Sequence, residues 1–195
     1  MASPFIWYEL MTSDLDVAER FYKAVVGWNT EPFPSAQVRY IVAKAGDAGV
    51  GGMMTMPDDV AAMGTPPMWL GYIRSDDVDA KTAAIKAAGG TVYQEGTDIP
   101  DVGRFSVVTD PQGATFMLLA PKGPDGEPAA PMTPGHIGWN ELMAADWQTA
   151  FDFYSTQFGW KKDQTFDMGE KGTYQIFNTG GNSVGGMYNK PKEVP

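Results

Sequence analysis

The segment FIWYELM at residues 5–11 recurs as IGWNELM at residues 137–143, and this repetition decides the fold. The match continues in register to a Phe-Tyr pair and then to a Gly-Trp pair, which is Gly27-Trp28 in the first copy. Self-similarity sustained over such a length indicates a repeated structural unit. We therefore interpret residues 5–56 and 137–188 as two copies of one unit, the first and third repeats.

The first repeat has the sequence pattern of a strand, a helix and return strands. Residues 5–11 are aromatic and apolar, as in a half-buried strand, and Asp14 is a suitable helix N-cap. Gly27 is expected to end the helix, and residues 38–44 and 50–56 are expected to return as strands. The side chains predicted to face the core lie at helical spacing and are Val17, Ala18, Phe21 and Val25.

A second, related repeat lies between these copies, at residues 67–120. Residues 68–74 predict a strand, and Asp76 or Asp77 is expected to cap the helix that follows. The DPQG segment at residues 110–113 has the residue preferences of a type I turn before a last strand.

The segment PKGPDGEPAAPMTPG at residues 121–135 lacks periodicity and is predicted to be a surface linker. It divides the chain into a complete domain at residues 1–120, made of the first two repeats, and a third repeat at residues 136–195. The third repeat would be half of a second domain.

The composition excludes several function classes. The chain has 195 residues, a formal charge of −10, no cysteine and a single histidine, His136. Cysteine-based catalysis, disulfides and sites that need two imidazoles from one chain are therefore excluded. We expect no nucleic-acid partner, because there is no basic stripe, and no membrane partner, because no apolar run is long enough to span a bilayer. We predict a cytoplasmic location.

The paired repeats, the helix ending in Gly-Trp and the late DPQG turn resemble the vicinal oxygen chelate superfamily of glyoxalases, bleomycin-resistance proteins and dioxygenases. The resemblance extends over the whole chain outside the linker. The Trp-x-Glu-Leu opening of the first and third repeats is most similar to that of tandem glyoxalase-like bacterial proteins. It implies an α+β fold of βαβββ units, with mixed sheets curled into a cup and the helices outside. Such proteins normally carry four units, whereas this chain carries three.

The resemblance also implies metal-ligand positions, and this chain departs from them. Metal-holding members usually place a His seven residues before the helix-capping Asp, and a Glu four residues after the Gly of the DPxG turn. With Asp76 as the second cap, those positions are Trp7, Trp69, Trp139 and Met117. Indole and thioether groups do not ligate hard or borderline divalent metal ions, so we predict no metal and no other cofactor.

The three tryptophans either fill the cup as core or form the stacking wall of a ligand pocket. Glu9 and Glu141 follow Trp7 and Trp139 by two residues, and therefore share their strand face. We favour an ion pair of Glu9 with Arg104, and the alternatives are a general base, a ligand-orienting acceptor or a displaced metal ligand. The predicted ligand-binding residues are Trp7, Glu9, Trp69, Arg104, Met117, Trp139 and Glu141, with Glu9 and Glu141 as the catalytic candidates.

Three functions are compatible with these residues. We favour a metal-free pocket that binds a small aromatic or amphipathic molecule. The first alternative is a metal-independent lyase or isomerase that uses Glu9 or Glu141 as its base. The second is an assembly protein whose cup is filled by its own side chains.

The third repeat has an apolar strand face like that of the first repeat, but no fourth repeat follows it. Trp139, Met143 and Met187 are predicted to be exposed on this face. We expect a homodimer through the third repeat, and the alternative is that a fourth repeat exists in the natural gene.

Overall fold

The computed structural model describes residues 2–34, 38–123 and 129–194, which form twelve strands and four helices. Strand, helix and three strands follow one another three times, so the predicted α+β class is confirmed. A 3-10 turn at Gly169–Lys171 interrupts the third repeat. The elements in chain order are β1 (Phe5–Thr12), α1 (Leu15–Val25), β2 (Asn29–Pro32), β3 (Tyr40–Ala45), β4 (Ala48–Thr55), α2 (Asp58–Ala62), β5 (Met68–Arg74), α3 (Val78–Ala87), β6 (Val92–Ile99), β7 (Gly103–Thr109), β8 (Thr115–Pro121), β9 (Asn140–Ala144), α4 (Trp147–Phe158), β10 (Lys161–Asp167), β11 (Thr173–Asn178) and β12 (Ser183–Asn189).

The three long helices begin in the same way. Asp14, Asp77 and Asp146 each accept a hydrogen bond from the backbone N–H three residues further on, at 2.8–2.9 Å. Each bond satisfies a donor that the helix itself leaves free. Gly27 and Gly159 follow α1 and α4 with positive φ angles of 81° and 70°, which glycine adopts without strain. The predicted N-caps and the predicted end of α1 are confirmed.

The described chain divides into two compact units. The β1 unit consists of residues 5–72 with residues 129–137, and the β9 unit consists of residues 2–4, 73–123 and 138–194. This partition differs from the predicted domains 1–120 and 136–195, which stay a prediction. Residues 124–128 of the predicted linker lie outside the described residues.

In the β1 unit the strands follow the order β2-β3-β4-β1-β5, and β1 runs parallel to β4. One face of this sheet packs with α1 around the core. Trp28 belongs to that core, and its indole N–H donates to the carbonyl of Gly135 at 2.7 Å. The end of the predicted linker is therefore fixed on this unit. The buried core residues are Leu10, Leu15, Trp28, Ile41, Ala43, Val50 and Met53.

The β9 unit contains the three strands β8-β7-β6 and a four-stranded sheet of order β10-β11-β12-β9. Trp160, the second Gly-Trp tryptophan, stacks between Tyr154 at 4.9 Å and Phe177 at 4.7 Å between ring centroids. Aromatic pairs of this kind contribute ~0.5–1.5 kcal/mol beyond the area they bury. At the DPQG turn, the Asp110 carboxylate accepts from the backbone N–H groups of Gln112 and Ala114, as the turn prediction requires.

The predicted core stripe of α1 is wrong in three of its four residues. Val17, Phe21 and Val25 are 51%, 54% and 65% exposed, and the core contacts of α1 come from Leu15, Ala18 and Tyr22. The apolar periodicity identified the helix correctly. It did not identify the face that packs, because two apolar stripes lie side by side on α1 and only one of them meets the sheet.

No helix among the described residues has both the length and the apolar character needed to cross a bilayer.

Candidate functional site

In the first repeat, Trp7, Glu9 and Tyr40 form one hydrogen-bonded cluster. The indole N–H of Trp7 donates to the Tyr40 hydroxyl at 3.0 Å, and that hydroxyl is itself hydrogen-bonded to the Glu9 carboxyl group. Tyr72 on β5 donates a second hydrogen bond to Glu9 Oε2 at 3.0 Å. The predicted proximity of Trp7 and Glu9 is confirmed, and both tyrosines are additions that the sequence interpretation missed.

Gly52 makes this cluster sterically possible. It lies directly opposite Glu9 in the parallel β1–β4 register, between β1 and the strand that carries Tyr40. A Cβ atom at Gly52 would lie 1.8 Å from the Tyr40 hydroxyl oxygen. The Tyr40 ring can therefore cross β4 toward Glu9 only because residue 52 has no side chain.

The Glu9 carboxyl group is shielded from solvent. Glu9 is 6% exposed and Tyr72 is 4% exposed. Burial raises the pKa of Glu9, and the hydrogen bonds from Tyr72 and Tyr40 oppose that rise. Burial also raises the pKa values of Tyr40 and Tyr72, and the nearby Glu9 charge adds to both shifts. The two phenols are therefore held as hydrogen-bond donors beside a carboxyl group whose charged form is disfavoured by burial.

The third repeat builds the same cluster from Trp139, Glu141 and Tyr174. The Trp139 indole N–H donates to the Tyr174 hydroxyl at 2.7 Å, and that hydroxyl donates to Glu141 Oε2 at 2.9 Å. Tyr188 forms a further hydrogen bond with Glu141. Gly186 lies opposite Glu141, and a Cβ atom there would lie 2.1 Å from the Tyr174 ring.

The second cluster is open to solvent, unlike the first. Trp139 is 41% exposed, and Glu141 is also exposed. Strand register places these groups on one side of the four-stranded sheet, where Tyr174 and Tyr188 stack at 5.6 Å. We name this side the β9-sheet face. Its aromatic, thioether and carboxylate side chains are Trp139, Glu141, Met143, Phe166, Tyr174 and Tyr188.

Met187 was expected to be exposed with Trp139 and Met143, and that prediction is wrong. Met187 is 1% exposed, whereas Met143 is 44% exposed. Met187 lies opposite Leu142 in the β12–β9 register, so it points to the side of the sheet opposite Glu141.

The assignment of Trp69 to the same face as Trp7 is wrong by one residue. The cap of α3 is Asp77 rather than Asp76, so the position seven residues before the cap is Leu70. A shift of one residue along a strand moves a side chain to the opposite face. The Trp69 indole accordingly donates to the Tyr22 hydroxyl on α1 at 2.7 Å and packs against the core.

The corrected cap also explains Tyr72. Glu9, Glu141 and Tyr72 each lie five residues before their helix cap. The second repeat therefore places a phenol where the other two repeats place a carboxyl group. In the β1 unit this phenol donates to Glu9.

Arg104 and Met117 do not share a face either. The β7–β8 register places Val107 opposite Met117, so the side chains of Arg104 and Met117 point to opposite sides of these strands. Arg104 instead forms a bidentate ion pair with Asp79 on α3, at 2.9 and 3.0 Å, and a second pair with Asp98. The expected ion pair between Glu9 and Arg104 is therefore wrong, and tyrosine hydroxyls take that role.

Tyr40 and Tyr174 belong to the two hydrogen-bonded clusters, and the sequence analysis overlooked them. Their equivalent positions in the first and third repeats were a signal that could have identified them. They match each other at the same sequence offset as Gly52 and Gly186. A glycine conserved between two copies of a strand indicates that something lies close to its backbone. In both repeats that group is the matching tyrosine.

The metal implied by the resemblance does not fit these residues. With the corrected cap, the positions of the first-strand ligands hold Trp7, Leu70 and Trp139, and the last-strand position holds Met117. An indole N–H only donates hydrogen bonds, and the aliphatic side chain has no donor atom. Across residues 2–34, 38–123 and 129–194, no three His, Cys, Asp or Glu side chains are placed to hold an ion. The chemistry open to this site is that of its carboxyl and aromatic groups.

The βαβββ repeats and their aromatic–carboxyl clusters define a protein of the glyoxalase-like fold. A model of the Glyoxalase/Bleomycin resistance protein/Dioxygenase superfamily matches residues 5–118. The match covers more than half of the chain, and the chain belongs to that superfamily.

Two relatives match this chain over only part of their own length. "Putative glyoxylase CFP32" from Mycobacterium tuberculosis is 49% identical over 117 residues, which cover 60% of this chain and 43% of the relative. "Anthracycline biosynthesis protein DauV" from a Streptomyces species is 29% identical over 176 residues, which cover 78% of this chain and 59% of the relative. The chain thus spans about half the length of these relatives.

Among solved structures, the chain is similar to the Mn(II)-bound glyoxalase from Novosphingobium aromaticivorans. The TM-score is 0.65 at 20% identity, over 97% of this chain and 62% of that chain. At this identity the likeness supports the fold alone, since one fold carries many activities.

Proposed function

We propose that this protein binds a small aromatic or amphipathic molecule without a metal, and that the β9-sheet face forms its binding surface. The observation that carries the proposal is the exposure of Trp139 and Glu141 in a hydrogen-bonded arrangement with Tyr174. Exposed aromatic groups beside an oriented polar group are typical of small-molecule sites.

The chemistry of the β9-sheet face suits a planar ligand. Trp139 and the Tyr174–Tyr188 pair offer ring faces for stacking, and Met143 is a flexible apolar neighbour. Hydrogen bonds from two phenols orient the Glu141 carboxylate, which then gives the surface a directional acceptor. The cluster around Glu9 has the same chemistry, but its own tyrosines fill the space beside the carboxyl group.

Family membership supports a small-molecule role in general terms. The similarity to a protein named as a glyoxylase covers 60% of this chain and 43% of that protein, so it supports the class of protein and not a particular reaction. We also propose that the protein acts in the cytoplasm.

The proposal is tested by calorimetric titration with planar aromatic compounds, for example naphthalene derivatives, together with quenching of tryptophan fluorescence. We expect Trp139→Phe to weaken binding about fivefold, because a smaller ring loses stacking area. The matched control is Trp7→Phe, which changes the equivalent residue of the buried cluster and should leave affinity unchanged. Absence of binding by every compound, or a loss confined to Trp7→Phe, would contradict the proposal.

The absence of a resident metal is tested separately by elemental analysis of the purified protein. We expect far less than one equivalent of zinc, nickel, manganese or iron per chain, because the ligand positions hold indole, aliphatic and thioether groups. One equivalent that survives dialysis would show that other residues of the protein hold an ion.

A catalytic role for Glu141 is a second candidate, favoured by the access of solvent to its carboxylate. A general base must reach the proton it removes, and Glu9 is too enclosed for that. If a lyase or isomerase activity is found, Glu141→Gln should abolish turnover and leave ligand binding measurable, whereas Glu9→Gln should retain turnover.

Self-association through the third repeat is a further proposal. β9 has β12 on one side and no other described strand on the other, so its edge can pair with a second copy. Light scattering after size exclusion should give about twice the 21.1 kDa chain mass at micromolar concentration. A mass of one chain would reject this pairing.

A further inference from the structure

We propose that the β9-sheet face selects organic cations, namely arylalkylammonium or quaternary ammonium compounds, with Glu141 as the counter-charge. This inference rests on the function proposed above, and it specifies the charge of the ligand. Three observations carry it: the interactions of Glu141, the arrangement of the rings around it, and the contrast with Glu9.

Within the part of the chain that the structure describes, Glu141 has no cationic partner. Its interactions with other described residues are the hydrogen bonds from Tyr174 and Tyr188. Both partners are neutral donors, so they orient the carboxylate and leave its charge uncompensated. Lys162 lies on β10, at the opposite edge of the sheet from β9, and its ammonium group lies 5.1 Å from the ring centres of Trp147 and Phe151.

The rings beside Glu141 suit a cation as well as an aromatic body. The electron-rich faces of Trp and Tyr attract ammonium groups, and Trp does so most strongly. The Trp139 indole N–H is used by Tyr174, so the edge of the indole is fixed while the residue remains 41% exposed. An ammonium group placed at Glu141 would therefore have both a carboxylate and aromatic rings within the same face.

The β1 unit explains why the selectivity belongs to Glu141 and not to Glu9. Glu9 is enclosed by Tyr40 and Tyr72, and burial raises its pKa, so it is poorly suited to hold a cation from solution. The net charge of the whole chain also favours cations. A charge of −10 attracts cations and repels anions as they approach the protein.

The experiment compares three probes of the same shape: 2-naphthylmethylammonium, 2-naphthylmethanol and 2-naphthoate. Affinities are measured by calorimetry with the full chain at low and moderate salt. We expect the cation to bind about tenfold more tightly than the neutral alcohol, as a charge-assisted hydrogen bond predicts, and the anion to bind most weakly. The preference should decrease as salt rises.

Glu141→Gln separates the local charge from the charge of the chain. It should abolish the preference for the cation, so that the cation and the neutral alcohol bind within about twofold of each other. Glu170→Gln is the matched control, because it removes one charge at an exposed position in the 3-10 turn. It should preserve the preference. Circular dichroism confirms that both variants are folded.

The possible outcomes distinguish the two proposals. Equal binding of cation and alcohol by the parent protein would overturn the inference of a cation site while the proposed aromatic site stands. A preference that persists in Glu141→Gln would overturn the role of Glu141. Failure of all three probes to bind would overturn the cation site together with the function on which it rests.

Discussion

The Trp–Tyr–Glu cluster occurs twice in this chain, once buried in the first repeat and once open in the third. Both copies use an indole N–H to hold a tyrosine and a glycine to let that tyrosine reach the carboxyl group. The copies differ in exposure, since Glu9 is 6% exposed and Glu141 faces solvent. The repeat therefore encodes the hydrogen-bond geometry, whereas neighbouring elements determine burial.

The neighbour that makes the difference is β5. β1 lies between β4 and β5, and Tyr72 on β5 covers Glu9. β9 has β12 on one side and no second described neighbour. Tyr188, which bonds to Glu141, comes from β12 within the same repeat, so the second donor has a different origin in each copy. One cluster is completed by the next repeat along the chain, and the other is completed internally.

The helices repeat this contrast. Phe21 on α1 and Phe153 on α4 are equivalent residues, but Phe21 is 54% exposed and Phe153 is buried. In the β9 unit, α4 lies beside α3, whose Lys81 donates to the carbonyl of Gln157. An apolar residue at a given helix position therefore predicts the capacity for burial, and the neighbouring elements decide whether burial occurs.

The largest expected effect comes from filling the two glycine positions. Gly52→Ala places a methyl group against Tyr40 inside the closed cluster, and we expect it to lower the free energy of unfolding by about 2–3 kcal/mol. Gly186→Ala should cost less than about 1 kcal/mol, because Tyr174 can swing toward solvent. Urea denaturation measures both variants. Equal losses would mean that the open cluster is as tightly held as the buried one.

The next effect is a pH dependence confined to the buried cluster. Burial raises the pKa of Glu9 above 4.5, so the folded chain binds this proton more tightly than the unfolded chain. The resulting stabilisation is complete below pH 4.5 and is lost as the pH rises through the folded-state pKa. Glu9→Gln lacks this titration, so its stability relative to the parent should increase as the pH rises.

Thermal unfolding of Glu9→Gln and the parent at a series of pH values measures that difference. Glu141→Gln is the matched control, because it makes the same substitution at the equivalent position of the open cluster, and the two variants are compared over the same series. A relative stability of Glu9→Gln that decreases with rising pH would show that the folded state favours the charged form of Glu9.

The sequence predicted the repeats, the Asp caps of α1 and α4, the Gly-Trp pairs after these helices and the location of Glu9 beside Trp7, because each depends on residues near one another in the chain. It failed for Trp69, where two adjacent Asp residues could cap α3 and the wrong choice reversed the strand face. It also missed Tyr40 and Tyr72, because their hydroxyl groups reach Glu9 from other strands, and strand pairing cannot be deduced from local pattern.

The smallest expected effect concerns Arg104, which sequence reasoning paired with Glu9. Its guanidinium group is satisfied by two exposed carboxylates, those of Asp79 and Asp98, and exposed ion pairs contribute little to stability. Arg104→Gln should therefore leave thermal stability nearly unchanged. It should also leave the pH-dependent difference between Glu9→Gln and the parent unaltered, and thermal unfolding of the double variant measures this. If Arg104 compensated the charge of Glu9, removing it would raise the pKa of Glu9 further and enlarge that difference. An enlarged difference would show that Arg104 stabilises the charge of Glu9. The buried cluster would then depend on a residue outside it, in contradiction to its description as self-contained.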